Sequence, residues 1–195
     1  MTTLRRRLSV VGLGALAAIS AAVPNVAGAA TRLPGEYGAV WVTNRDLNNV
    51  TAFDAGTGAV VGSAGVGAQP TGVVAPLFTG KVYTSDEGSN QVSVISRATR
   101  SRVKVIPVGP RPHHMMTNTL GDRVYVAEFG RNTVGVIDTA SDTKVATWAT
   151  SPNPAARAHA VWPSRDGRRL YATNEVTNDI AAIDTATGQL LWNLP

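Results

Sequence analysis

One short pattern occurs four times in this chain, and that repetition limits the fold more than any other feature. Val40-Trp41-Val42-Thr43-Asn44 is followed by Val82-Tyr83-Thr84-Ser85-Asp86, Val124-Tyr125-Val126-Ala127-Glu128 and Leu170-Tyr171-Ala172-Thr173-Asn174. The aromatic anchors Trp41, Tyr83, Tyr125 and Tyr171 stand 42, 42 and 46 residues apart. Seven residues after each anchor comes an asparagine, Asn48, Asn90, Asn132 or Asn178. Nine after it comes Val50, Val92, Val134 or Ile180, and twelve after it Phe53, Ile95, Ile137 or Ile183, followed by Asp54, Ser96, Asp138 or Asp184. Agreement at so many independent offsets identifies a tandem repeat whose units bury their apolar faces against one another.

Each unit reads as short strands separated by turns. The anchor segment is β-branched and aromatic, and the next, such as Thr133-Val134-Gly135-Val136-Ile137-Asp138, carries apolar residues on both alternating faces. Two apolar faces imply burial between two layers, as when sheets stack face to face. The asparagine at the fixed offset falls in the turn between these strands, where it tolerates a left-handed backbone and can bond its own backbone. Asp54-Ala55-Gly56-Thr57-Gly58 and Asp184-Thr185-Ala186-Thr187-Gly188 read as the next hairpin. A third strand follows (Arg102 to Ile106, Lys144 to Trp148), and segments such as Pro70 to Val74, Pro112 to Met116 and Ala158 to Trp162 supply a fourth. Four short strands in about 42 residues describe a blade of a β-propeller. The expected fold is all-β, with four-stranded antiparallel blades near 38–67, 68–109, 110–151 and 152–195 within a domain spanning 30–195.

Trp41-Val42-Thr43-Asn44 and Tyr171-Ala172-Thr173-Asn174 resemble the Tyr-Val-Thr-Asn motif of the YVTN-type β-propeller repeats. The Pro-His segment at Pro112-His113, the Gly121-Asp122 and Asp166-Gly167 turns and the Asp-x-x-Thr-Gly hairpin fit the same pattern. The second copy departs from it with Ser96 for Asp and Arg100 for Gly, and the third has Asp142 where Gly is usual, which leaves the hairpin type open. The resemblance implies a seven-bladed ring, which at this repeat length needs about 294 residues. By that register the chain offers three full units and a fourth that stops early, and the first lacks a clear inner strand between Thr31 and Gly38. Three readings follow: a truncated copy of a longer propeller, without function of its own; a half-ring completed by a second copy; or a small four-bladed ring. An open arc would present apolar end blades and invite self-association.

The amino terminus reads as an export address. Arg5, Arg6 and Arg7 precede an apolar run from Leu8 to Val23, and Ala27-Gly28-Ala29 supplies small residues for cleavage. The run is shorter than the roughly 20 residues a spanning helix needs, so no stable membrane span is expected after cleavage. The arginine cluster with Leu8-Ser9 fits a general secretory or a twin-arginine route to the periplasm, cell envelope or medium. Removal of residues 1–29 takes three of the 18 Lys and Arg and none of the 13 Asp and Glu, so the formal +5 falls to +2. A chain so nearly neutral gives no reason to expect a nucleic-acid partner. With no Cys, disulfides, thiolate metal sites and Cys nucleophiles are excluded, and packing alone must hold the exported fold.

No nucleophile elbow, zinc-protease motif or phosphate loop is present. His113 and His159 occupy the same blade position, on the strand expected to line the channel. They read either as a channel-mouth site for a divalent metal or other ligand, or as repeat residues bonding backbone. His114 alternates to the opposite face. Asp86, Glu87 and Glu175 read as solvated turn acids, and Trp148, Trp162 and Trp192 as packing between blades. No cofactor is expected beyond that metal. The leading expectation is a non-catalytic scaffold binding a protein or small-molecule ligand. Relatives by resemblance include lactonases and periplasmic oxidoreductase subunits, so the alternative is a lactonase-like hydrolase or a metal- or redox-associated propeller enzyme or subunit.

Overall fold

A computed structural model describes residues 38–195, and the export-signal reading of residues 1–29 lies outside them. The strands fall into four antiparallel sheets in chain order. The first holds β1 (Ala39–Asn44), β2 (Asn49–Asp54) and β3 (Val60–Gly65); the second β4 (Pro70–Val74), β5 (Lys81–Asp86), β6 (Gln91–Ser96) and β7 (Arg102–Pro107). The third holds β8 (Pro112–Thr117), β9 (Arg123–Glu128), β10 (Thr133–Asp138) and β11 (Thr143–Ala149); the fourth β12 (Ala158–Pro163), β13 (Arg169–Asn174), β14 (Asp179–Asp184) and β15 (Leu190–Leu194). Each sheet is a meander, and β4, β8 and β12 lie beside one another as the inner strands of successive blades. This is a β-propeller architecture with four blades. The fourth blade is complete, contrary to the reading that it stops early. The shorter blade among the described residues is the first, where no strand precedes β1. Among these residues no helix is long and apolar enough to cross a membrane.

The repeat positions explain the packing. Between the second and third blades, Tyr83, Val92, Val94 and Ile106 pack against Met115, Val124, Val126 and Ile137. Between the third and fourth, Tyr125, Val134 and Val136 meet Val161, Leu170, Ala172 and Ile183. The anchor and the residue nine positions later therefore face the following blade, while the residues flanking the anchor face the preceding one. Both faces are apolar because both are covered. The same two faces are partly bare at the ends of the arc, where Val40 and Val42 of β1 and Ile180, Trp192 and Leu194 of the last blade are exposed.

The fourth letter of the repeated motif has a separate task. Asp86 accepts hydrogen bonds from Gly67 N (2.9 Å), Ser93 Oγ (2.6 Å), Thr84 Oγ1 (2.9 Å) and Gln91 Nε2 (3.1 Å). Glu128 accepts from Gly109 N (2.7 Å), Thr133 Oγ1 (2.6 Å) and Lys144 Nζ (2.7 Å). Asn174 accepts from Thr150 Oγ1 (2.6 Å) and donates to Thr150 O (3.1 Å). Gly67, Gly109 and Thr150 lie on the linkers crossing into each blade, where a buried backbone group needs a partner. The side chain ending the anchor strand supplies it. Asp86 is therefore buried structure rather than the solvated turn acid its sequence context suggests.

Two turn expectations are refined. Asn48, Asn90 and Asn178 take left-handed backbone at φ of 51°, 53° and 51°. Their role differs from the expected local bond: Asn48 Oδ1 accepts from Gln69 N and Asn90 Oδ1 from Arg111 N, both at 2.9 Å in the next blade. Asn132 instead donates to Ser151 O at 2.8 Å, because the linker after it is longer, as the 46-residue spacing records. The outer hairpin is the same in all four copies. Gly58, Arg100, Asp142 and Gly188 stand seventeen residues after their anchors, and all have positive φ, between 52° and 74°. Asp142 uses that corner to reach back one blade, accepting from Tyr83 Oη at 2.6 Å and Lys81 Nζ at 2.7 Å.

Candidate functional site

The turns after the anchor strands, and the residues leading into the inner strands, form one rim of the arc. Four positions after each anchor stand Arg45, Glu87, Phe129 and Glu175, and fourteen before the last three anchors stand Gln69, Arg111 and Arg157. These positions differ in chemistry while the motif beside them stays constant. Glu87 is almost wholly buried: Oε2 accepts from Arg45 Nη1 at 2.7 Å, and Oε1 from Arg111 Nη2 at 2.7 Å and Nε at 3.0 Å. The guanidinium of Arg111 also lies 4.8 Å from the Phe129 ring centre, and that of Arg157 5.5 Å from it. Cation and ring faces attract electrostatically. The series Arg45–Glu87–Arg111–Phe129–Arg157 thus links all four blades along one rim. Burial pushes the Glu87 carboxyl up, but the hydrogen bonds and charges of Arg45 and Arg111 outweigh it and hold the group below its ordinary value.

The histidines join this series. His113, second residue of β8, and His159, second residue of β12, stack at 4.6 Å between ring centres with planes tilted by 33°. Phe129 lies 5.6 Å from His113 and 5.9 Å from His159. His113 Nδ1 is buried and has no hydrogen-bond partner. Burial lowers the proton affinity of His113, the neighbouring His159 lowers it further, and Glu87 opposes both. His159 Nε2 is 3.9 Å from Glu175 Oε2, at an exposed edge of the cluster. The shared blade position therefore brings the two predicted histidines into direct contact. His114 does point elsewhere: its ring is 5.2 Å from Trp162, and its Nδ1 accepts from Val161 N at 3.2 Å. That bond occupies the lone pair a metal would need. Among the described residues, no group of three or more His, Asp or Glu side chains is arranged to hold a metal ion.

Several residues of this rim escape a sequence reading. Arg111, Phe129 and Arg157 match no motif, and their partners are distant in the chain. The available signal is the variable position beside a constant one, repeated at a fixed offset. Glu87 reads from sequence as a solvated acid and is in fact the buried link between two arginines. A cleft of about 530 Å³ lies farther along the rim, between the first two blades, lined by Arg45, Asp46, Asn48, Ala68, Gln69 and Gly88. It does not include the histidines. Of the tryptophans, Trp148 packs on the fourth blade at Gly188 and stacks 5.8 Å from Tyr125, as expected between blades. Trp162 and Trp192 are partly exposed.

No protein-family model matches the chain, and no curated protein matches it. Solved structures match in number, with 1237 chains similar, so likeness of fold alone selects no activity. One of them, a Kuenenia stuttgartiensis hydrazine synthase chain, superposes with a TM-score of 0.76 at 28% identity over 84% of this chain and 50% of its own. The present chain spans about half the length of that relative. What the two share is the stacked four-stranded blade, and this chain is accordingly a β-propeller.

Proposed function

We propose that this is an exported, YVTN-like propeller that works as a binding scaffold, taking a protein or small-molecule ligand along the Arg45–Arg157 rim. The observation that carries the reading is the placement of Arg45, Glu87, Arg111, Phe129, Arg157, His113 and His159 in one continuous series across four blades. A ligand touching several blades gains affinity from contacts no single repeat provides. The cluster offers guanidinium groups and a partly exposed imidazole gathered around the buried Phe129 ring, a set suited to ligands carrying carboxylate groups. Export is supported by the arginine cluster and apolar run at the amino terminus, and sequencing the amino terminus of secreted protein tests it.

A thermal-shift panel of small carboxylates, aromatic acids and short acidic peptides tests the binding reading. At least one member should raise the melting temperature of the parent protein, and Phe129→Ala and Arg157→Ala should each abolish that rise. A Val145→Ser change on the outer strand should preserve it. No rim-dependent ligand in such a panel counts against the scaffold. The lactonase-like alternative is favoured by one observation, the pairing of His113 with the more exposed His159 at the rim. It requires turnover of a simple γ-lactone that His113→Asn removes.

A further inference from the structure

The opposite rim carries a second surface. There the turns joining inner strands to anchor strands present Leu77 and Phe78 from the second blade and Leu120 from the third, with 58%, 94% and 74% of their areas exposed. Phe78 stands at φ 65°, a left-handed conformation that bulky residues rarely adopt. An aromatic side chain held in unfavourable backbone, with its ring in water, adds nothing to the blade core. Such a residue calls for a role outside folding.

The turns that hold these side chains are braced. Thr79 Oγ1 and Arg97 Nη2 both donate to Pro76 O at 3.1 Å. Gly121 permits the second and third turns to touch, since a Cβ there would lie 2.6 Å from Leu77 O. Thr119 Oγ1 donates to Arg165 O at 3.3 Å, joining the third turn to the fourth. The apolar tips are thus fixed in a row beside Arg165 and Arg168.

Charge on this rim is divided unequally between bonded acids and open bases. Asp138 pairs with Arg123, Asp142 with Lys81, and Asp184 with Arg169. Asp54 and Asp166 bond within their own turns, and Asp122 bonds Asn118 and Arg123. Arg102, Arg165 and Arg168 are exposed and make no ion pair among the described residues, and of the three only Arg168 acts on a neighbouring carboxylate, helping to hold Asp166 below its ordinary value.

We propose that this rim docks on an anionic lipid surface, with Phe78, Leu77 and Leu120 entering the headgroup region and Arg165 and Arg168 meeting lipid phosphates. Apolar side chains projecting singly from convex turn tips suit entry between headgroups, whereas protein interfaces favour a contiguous, flatter patch. The open arginines supply the complementary charge. Docking here leaves the Arg45–Arg157 rim facing away from the membrane and free for its ligand.

The chain has no cysteine, so a single Ala75→Cys substitution accepts an environment-sensitive fluorophore at the foot of the apolar turn. Full-length labelled protein is titrated with vesicles of phosphatidylglycerol and phosphatidylcholine in equal parts, and with phosphatidylcholine alone. The label should brighten and shift to the blue on the anionic vesicles, with partitioning at least tenfold stronger than on the neutral ones. Phe78→Ser with Leu120→Ser should weaken it at least tenfold, and Arg165→Gln with Arg168→Gln should remove most of the anionic preference. These side chains are exposed, so circular dichroism and melting temperature should be unchanged. The proposal is overturned if the label stays in water while the protein sediments with vesicles, if the serine variant partitions like the parent, or if neither vesicle is bound.

Discussion

The contact between Tyr83 and Asp142 allows the blade-stacking argument to be put on a numerical footing. Tyr83 is fully buried, and its hydroxyl donates to Asp142 Oδ1 at 2.6 Å across the junction of the second and third blades. Burial and the adjacent carboxylate push the phenol far above its ordinary range, so it remains a donor at any working pH. Tyr83→Phe keeps the ring in place, leaves no large cavity and deletes this one bond. A hydrogen bond to a charged group contributes about 1.5–3 kcal/mol. For a domain of this size each kcal/mol moves the melting temperature by about 2–4 °C, which gives a drop of roughly 3–12 °C. Lys81 bonds the other oxygen of Asp142 at 2.7 Å from a more exposed position, so Lys81→Met should cost less, about 1 kcal/mol or under. Asp142→Gly tolerates the left-handed corner and removes the acceptor, which makes it the partner for a double-mutant cycle. Urea unfolding followed by tryptophan fluorescence should give a Tyr83–Asp142 coupling of at least about 1 kcal/mol. A Tyr83→Phe effect below about 0.5 kcal/mol, or one unchanged in the Asp142→Gly background, would refute the idea that this bond fastens the junction.

Four further outcomes are expected. The Glu87 carboxyl titrates lower in the folded protein than in the unfolded chain, so its stabilising effect is complete above its ordinary value of 4.5 and is lost as pH falls through the folded value; Glu87→Gln should cost about 1–2 kcal/mol at pH 7, and urea titrations should find the gap closing at acid pH. Burial, then the neighbouring His159, hold His113 below 6.5, so stability is intact above that value and declines as the unfolded chain takes up the proton more readily; His113→Asn should flatten the acid-side fall in melting temperature. Gly121→Ala places a Cβ against the Leu77 carbonyl at φ 76° and should cost about 2 kcal/mol or more in chemical unfolding. Ile180 and Leu194 stand where Val92 and Ile106 are buried two blades earlier, so sedimentation should reveal concentration-dependent association that Trp192→Ser with Leu194→Ser reduces.

The fold was legible because its determinants are local and repeated. Strand alternation around Tyr83 and Tyr125, and the glycines at 58 and 188, announce strand and corner within a few residues of themselves. The site was legible only where it followed the repeat. His113 and His159 share a blade position, and adjacency of blades made them neighbours. Glu87 was misread because its burial comes from Arg45 and Arg111, 42 and 24 residues away. Asp86 was misread for a related reason: besides its local partners Thr84, Gln91 and Ser93 it holds the linker at Gly67, and a crossing linker leaves no mark in the residues beside Asp86. Arg100 and Asp142 looked like departures from the hairpin, yet the backbone is the same in all four copies. What the corner requires is a left-handed residue, and aspartate and even arginine occupy it as well as glycine.

That corner has a further consequence for how blades find their order. Its backbone is constant while its side chain differs, and in the second, third and fourth blades it meets the preceding blade. Arg100 lies across Gly62, Asp142 grips Tyr83 and Lys81, and Gly188 leaves room for the Trp148 ring. Each junction therefore has its own lock and its own key. A protein assembled from near-copies risks joining the wrong neighbours, since any apolar face fits any other passably. Here the third blade set behind the first would bring Asp142 to Trp41 in place of Tyr83, and the second blade set behind the third would drive Arg100 into the Trp148 ring. The corner residue thus tells a correct neighbour from some wrong ones, at the point where the strands themselves are interchangeable.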